Sequence, residues 1–269
     1  MKKLLLIIIT IAAIGSVIAG KIHWDQKIAT STKVEVKSEK IEKEKPKSEP
    51  KVAEDDTRNL DEIMGYTKNL PADVITKVET SVNSEKSLTF VIMGSASTPI
   101  DPDGWPMRLK GALEQSYGKD VMNVIIEEIP DKTSLSVIQD NLYEDVIELK
   151  PDVLLLEPFI LIDNGLVAMS DRLANLQTII NDFKAANSDI SLFIQPANPL
   201  LKAKFYPREV EELKRFAESN HYTYLDHWTA WPDHQTDEIA EYLEDSLPNE
   251  EGHELWANYL IEYFTGLDY

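Results

Sequence analysis

The sequence contains no cysteine. Disulfides, thiolate nucleophiles, cysteine-ligated metals and a lipid-modified N-terminal cysteine are all excluded by that one absence. Glycine is sparse too, at 10 residues in 269. The stretch after Gly94 lacks both the glycines and the lysine of a phosphate-binding loop, which tells against a nucleotide-binding module. Positive charge is short: 27 Lys and Arg against 47 Asp and Glu give a formal charge of -20. That balance argues against nucleic acid or anionic lipid held through bulk charge, and leaves neutral glycans and small esters open. No metal-ligand spacing stands out, so neither a metal nor a cofactor is expected.

What the chain does carry begins at its N-terminus. Lys2 and Lys3 precede an uncharged, largely apolar run over residues 4–20. Its length sits at the lower edge of a membrane span and above the usual secretory core. The lysines predict a cytoplasmic start with everything after Lys21 exported. Residues 1–27 are thus expected to be a membrane anchor, or a signal peptide cleaved after Val17-Ile18-Ala19. The domain would be extracellular in either case. Residues 28–58, rich in Lys, Glu, Ser and Pro, lack the apolar content to offset ordering and read as a flexible charged linker. Residues 59–269 then form the folded domain.

Within that domain short apolar runs alternate with amphipathic segments. Strands are expected over 88–93, 121–129, 152–157, 190–195 and 222–226, and helices over 105–117, 134–149, 169–186, 207–219 and 250–264, after short helices broken at Pro71. Pro106 suits the first turn of the 105–117 helix and Gly118 its end. The alternation implies an α/β fold: a three-layer α/β/α sandwich around a five-stranded parallel sheet, flavodoxin-like in broad type. The runs at 153–156 and 191–194 suit strands buried on both faces.

In such sheets ligands bind beyond the carboxyl ends of the strands. That rim collects Ser95, Ser97 and Thr98 after the first strand, Glu157, Asp163 and Asn164 after the third, Gln195 and Asn198 after the fourth, and His227 after the fifth. Asn249 and His253 can fold back towards it. A serine, a histidine and an amide gathered there suit acyl transfer: the serine attacks, the histidine takes its proton, and the amide stabilises the oxyanion. Ser95 is the preferred nucleophile, with a turn-capping hydroxyl as its structural alternative. Asn164 is the oxyanion candidate, although Asn164-Gly165 is also a common turn pair. His227 is the preferred base and His253 the second. Trp105 and Trp228 are expected to pack the core or rim. Trp228, Trp231 or Tyr206, if exposed beside Ser95, would stack on sugar rings.

On these residues the sequence resembles the SGNH (GDSL-type) hydrolases over most of 88–265. VIMGSAST followed by GWPMRLKGAL is similar to the family's first block and its helix. PNEEGHELWANYL is similar to the segment that follows the family's catalytic histidine, and PDVLLLEPFILIDNG sits where the family carries its oxyanion asparagine. The resemblance places the nucleophile of Gly-Asp-Ser at Ala96, between Ser95 and Ser97. It places Asp-x-x-His on Glu244 and Leu247, so that histidine is absent. Its Gly-x-Asn-Asp falls on Ile160-Leu161-Ile162-Asp163, two positions before Asn164. The resemblance implies an exported acyl-ester hydrolase acting on acylated cell-envelope carbohydrate or a small ester. The departures keep open a catalytically degenerate domain that binds envelope glycan or a partner protein.

Overall fold

The computed structural model of the chain describes residues 60–84 and 86–267. The expected membrane segment and charged linker lie outside the described residues. Among the described residues no helix is long and apolar enough to cross a membrane, and no cluster of His, Asp or Glu is arranged to hold a metal ion.

Five strands make one sheet: β1 (Leu88–Gly94), β2 (Met122–Glu128), β3 (Val153–Leu156), β4 (Ser191–Ile194) and β5 (Thr223–Tyr224), in the order β2-β1-β3-β4-β5. Every pairing is parallel. β3 and β4 are buried at every position, as their unbroken apolar runs require of strands covered on both faces. Side chains alternate between faces with the strand period of two. Phe90, Ile92, Val153 and Leu155 thus join one core cluster, while Val91, Met93, Leu154 and Leu156 join the other.

Helices close each face. One layer holds α1 (Leu60–Gly65), α2 (Ala72–Asn83), α3 (Trp105–Tyr117) and α9 (Glu250–Thr265); the other holds α4 (Ser134–Gln139), α5 (Glu144–Glu148), α7 (Met169–Ala186) and α8 (Tyr206–Ser219). A short α6 (Ile160–Asp163) follows β3. Pro106 does lie in the first turn of α3, and Gly118 ends it at φ 87°. Asn249 caps α9 by accepting from the Gly252 N–H at 3.0 Å.

Two expectations need correction. The single helix expected over 134–149 is broken into α4 and α5, with Asn141 left-handed at φ 50° between them. The break lets Tyr143 turn into the core, where its hydroxyl donates to Asp182 Oδ2 at 2.7 Å. The fifth strand is short, because only Phe193–Thr223 and Ile194–Tyr224 pair. After it the chain leaves the sheet as a 3₁₀ turn, His227–Ala230.

The register fixes the rim. Gly94 is opposite Glu128, Met93 opposite Leu156, and Leu156 opposite Ile194. Ser95, Glu157 and Gln195 therefore emerge together. The strand order reverses between β1 and β3, the switch point where open α/β sheets leave a crevice.

Across that end of the sheet, Trp256 of α9 is stacked between Trp105 (4.7 Å between ring centroids, 15°) and His227 (4.0 Å, 7°). Truncating a fully buried tryptophan leaves a void the neighbours cannot refill. Trp256→Ala is expected to cost about 3–5 kcal/mol, read as a lowered urea midpoint with the slope unchanged.

Candidate functional site

The loop after β1 is organised by one carboxylate. Glu157, the residue after β3, is fully buried, and its Oε2 accepts from the Ser95 N–H (2.7 Å), the Ser95 hydroxyl (2.7 Å) and the Thr98 hydroxyl (3.2 Å). Its Oε1 is buried without a hydrogen-bond partner. Burial pushes the Glu157 carboxyl up to about 8, overriding the three donors, which favour the ionised form. Its charge in turn adds to the burial that holds the Tyr206 phenol well above its usual range.

The rest of the loop is tied sideways. The Ser97 hydroxyl donates to Asn198 Oδ1 at 3.0 Å. Asn198 Nδ2 donates to the carbonyls of Pro199 (3.1 Å) and Ser246 (3.0 Å). Ser246 lies in the turn of an antiparallel hairpin, β6 (Leu243–Glu244) and β7 (Leu247–Pro248), where Asp245 and Ser246 both have positive φ, the geometry of a tight two-residue turn. Asn198 thus brings the hairpin beside Ser97. Ala96 is the partly exposed member of the row Ser95-Ala96-Ser97-Thr98, whose other members are buried.

The histidines do not join the serines. His227 is fully buried, not exposed on the rim as expected of a base. Its Nδ1 accepts from Trp231 Nε1 at 3.0 Å, so Nε2 carries the proton and donates to the Pro196 carbonyl at 2.9 Å. Both ring nitrogens are spent. Burial lowers its pKa to about 3, against the raising effect of the Pro196 bond, so the ring is a neutral core element. His253 caps the start of α3, its Nδ1 accepting from the Trp105 N–H at 3.3 Å. Burial depresses it, with Arg108 adding to the effect and Asp101 opposing it. Among the described residues no hydrogen bond joins a histidine to a rim serine. Leu247, 37% exposed, stands where the resemblance puts the histidine.

Asn164 likewise serves the turn. It caps α6 through its N–H to the Leu161 carbonyl, followed by Gly165 at φ 76°, and no hydrogen bond links its side chain to Ser95. Asp163 accepts from the Ser134 N–H at 2.8 Å. Arg172 donates to the Asp163 carbonyl at 2.9 Å and pairs with Glu209 at 2.7 Å, bracing α6, α7 and α8. Trp231 and Tyr206 are buried, leaving Trp228 as the partly exposed aromatic of the sugar-stacking trio. A surface cavity of about 400 Å³ lies at the opposite, amino edge of the sheet; there Lys77 bridges Asp73 and Asp189 and donates to the Ser191 hydroxyl at 2.8 Å, which itself donates to Asp73 Oδ2.

The residue whose role sequence reasoning missed is Glu157. Its signal was present: an acid directly after four apolar residues of a buried strand must be neutralised or hydrogen-bonded.

Glu157 and His227 make opposed contributions to stability against pH. The folded value of Glu157 lies above its ordinary 4.5, so its stabilisation is complete below that value and is lost as pH rises through about 8. The folded value of His227 lies below its ordinary 6.5, so its stabilisation is complete above that value and is lost as pH falls through about 3. Between 6.5 and 8 the glutamate alone acts, and the urea midpoint is expected to fall there. Glu157→Gln should flatten that decline. An equal decline in the variant would remove Glu157 as its cause.

No protein-family model and no curated protein matches the sequence. Solved structures do. A protein assigned to the G-D-S-L lipolytic family from Desulfitobacterium hafniense superposes with TM-score 0.53 at 18% identity, over 66% of this chain and 99% of its own. A protein assigned as a GDSL-like lipase from Parabacteroides merdae gives TM-score 0.56 at 12% identity, over 68% and 98%. An acetylxylan esterase from Geobacillus stearothermophilus gives 0.52 at 17%, over 67% and 95%. The folded domain of this chain shares the fold of these G-D-S-L lipolytic proteins and esterases, the SGNH-hydrolase fold.

Proposed function

We propose that the domain is an SGNH-type acyl-ester hydrolase in which Ser95 is the nucleophile and Glu157, in place of a histidine, its base. The observation that carries this reading is the 2.7 Å hydrogen bond from Ser95 Oγ to a carboxylate whose pKa burial has moved to about 8. A base in that range takes a serine proton far more readily than a carboxylate at its ordinary value. Ser95 Oγ bonds to the acyl carbon as its proton passes to Glu157 Oε2. The tetrahedral adduct then expels the alkoxide, which takes that proton. Water attacks the acyl-serine, gives its proton to Glu157 and releases the acid, and the proton returns to Ser95. Because Ser95 is covered at rest, the loop beside partly exposed Ala96 has to open for substrate to reach it.

The likeness to an acetylxylan esterase supports an acetylated carbohydrate as the substrate class. Lys2, Lys3 and the apolar run over 4–20 support an exported, membrane-anchored domain, and so an envelope glycan. A second reading, binding of such a ligand without turnover, is favoured by the complete burial of Ser95 and by the occupied nitrogens of His227.

Short-chain aryl acetates decide between them. The full-length protein is expected to turn them over with kcat/KM rising as pH climbs through about 8, because Glu157 acts only when ionised. Glu157→Gln should lower kcat by about 10²–10⁴-fold and Ser95→Ala should abolish turnover, while Ser97→Ala retains it. Activity surviving Ser95→Ala rejects the mechanism. No wild-type turnover, with acetylated oligosaccharide still bound, establishes the second reading.

A further inference from the structure

At the carboxyl end of the sheet, Glu157 Oε1 and Gln195 Nε2 are both buried without a hydrogen-bond partner. The residues that carry them are neighbours. Leu156 pairs with Ile194, and the Gln195 N–H continues the ladder to the Leu156 carbonyl at 3.1 Å, so Glu157 and Gln195 stand side by side at the ends of β3 and β4. Leu155 and Phe193, two residues earlier, belong to the core under α3 and α9, and the strand period puts Glu157 and Gln195 on that same face. The contacts already made settle how each group is turned. Glu157 Oε2 is taken from the β1 side, by the Ser95 N–H and the Ser95 and Thr98 hydroxyls. Gln195 Oε1 accepts from Trp256 Nε1 at 3.1 Å. Indole is a donor only, so the amide oxygen has to face it and the NH₂ group is left for another acceptor.

A direct bond between this amide and the acid fits one protonation state only. When Glu157 is neutral, the donors on Oε2 leave the proton to Oε1, and two donors meet. A water, donor and acceptor at once, satisfies the pair in either state, as buried waters do for polar groups that protein leaves over. We propose that Glu157 Oε1 and Gln195 Nε2 hold a water between them, and that this water hydrolyses the acyl-serine. The role of the water rests on the hydrolase reading above; the water site itself does not. Oε1 belongs to the carboxyl whose Oε2 holds Ser95 Oγ, so the water is kept beside an acyl group on that oxygen. With Glu157 ionised, the water accepts from Gln195 Nε2 and donates to Oε1. Its oxygen bonds to the acyl carbon as one of its protons passes to Oε1. The C–Oγ bond then breaks, and the carboxyl gives up a proton to Ser95 Oγ. Gln195 is the positioning residue of this step and takes no part in acylation.

Two measurements on the full-length protein test this. A high-resolution crystal structure of the wild type is expected to show an ordered water within about 3 Å of both atoms. A direct Gln195–Glu157 bond there, or neither bond nor water, overturns the proposal whatever the activity and with no variant needed. Gln195→Met keeps the volume and has no donor. On an aryl acetate it is expected to release its first equivalent of aryl alcohol as fast as the wild type and then to turn over about 10²-fold more slowly. Acetyl-Ser95 accumulates meanwhile by intact mass, and hydroxylamine, a nucleophile that needs no held water, restores turnover. Both phases falling together would make Gln195 a packing residue and overturn its role, as would an unchanged steady state. A wild type without any turnover removes the hydrolase reading and the water's role with it, and the crystal structure then decides the site alone.

Discussion

A buried carboxylate that must be satisfied from one side organises the working end of this fold. β3 delivers Glu157 into a fully buried position, and its Oε2 takes all three donors from the loop after β1. Those bonds need the loop to pass close by, and Gly94 allows it: a Cβ there would lie 2.3 Å from Thr98 Oγ1 and 2.7 Å from Glu157 Oε2. With the loop held, Ser97 is turned to Asn198, Asn198 reaches the hairpin, and the Ser97 carbonyl accepts from Trp105 Nε1 at 2.7 Å. The contacts that join the end of β1 to Asn198, the hairpin and Trp105 thus run through a loop anchored on Glu157.

The aromatic layer beneath works by the same rule of satisfying every polar tip. Trp105 Nε1 bonds to the Ser97 carbonyl, Trp228 Nε1 to the Ala197 carbonyl, Trp231 Nε1 to His227 and Trp256 Nε1 to Gln195 Oε1. Indole is a donor only, so His227 has to present a lone pair to Trp231. A protonated ring would bring two N–H groups face to face. The stacking on Trp256 and the tautomer therefore both hold this histidine neutral, which is a structural occupation rather than a catalytic one.

The strands were legible because continuous apolar runs bounded by polar residues have few other readings, and their parallel order followed from the helices between them. Four of the five longer helices kept their place, and for two of them local chemistry marks the ends: Pro106 and Gly118 for α3, Asn249 for α9. The 134–149 segment was misread since its apolar spacing is helical throughout; only the burial of Tyr143, a tertiary effect, breaks it. The site was half legible. Strand register alone places Ser95 and Glu157 on one rim, but periodicity carries no information on which partner a serine chooses. His227 looked available because it follows the fifth strand at the carboxyl rim. Trp231 and Trp256, which consume it, come from the end of a 3₁₀ turn and from a distant helix whose approach no local pattern announces.

Between about pH 3 and about pH 8 both Glu157 and His227 are neutral in the folded chain. Neither group then brings a charge to the rim, which suits a site where Glu157 Oε1 and Gln195 Nε2 are buried without partners and an ion would find little to solvate it. Serine activation asks for the opposite state, an ionised Glu157 beside Ser95. Each proton lost from that carboxyl improves the base and weakens the packing that positions it. Reactivity and stability are therefore set against each other by one group, and the alkaline side of neutrality is where the first is gained at the cost of the second.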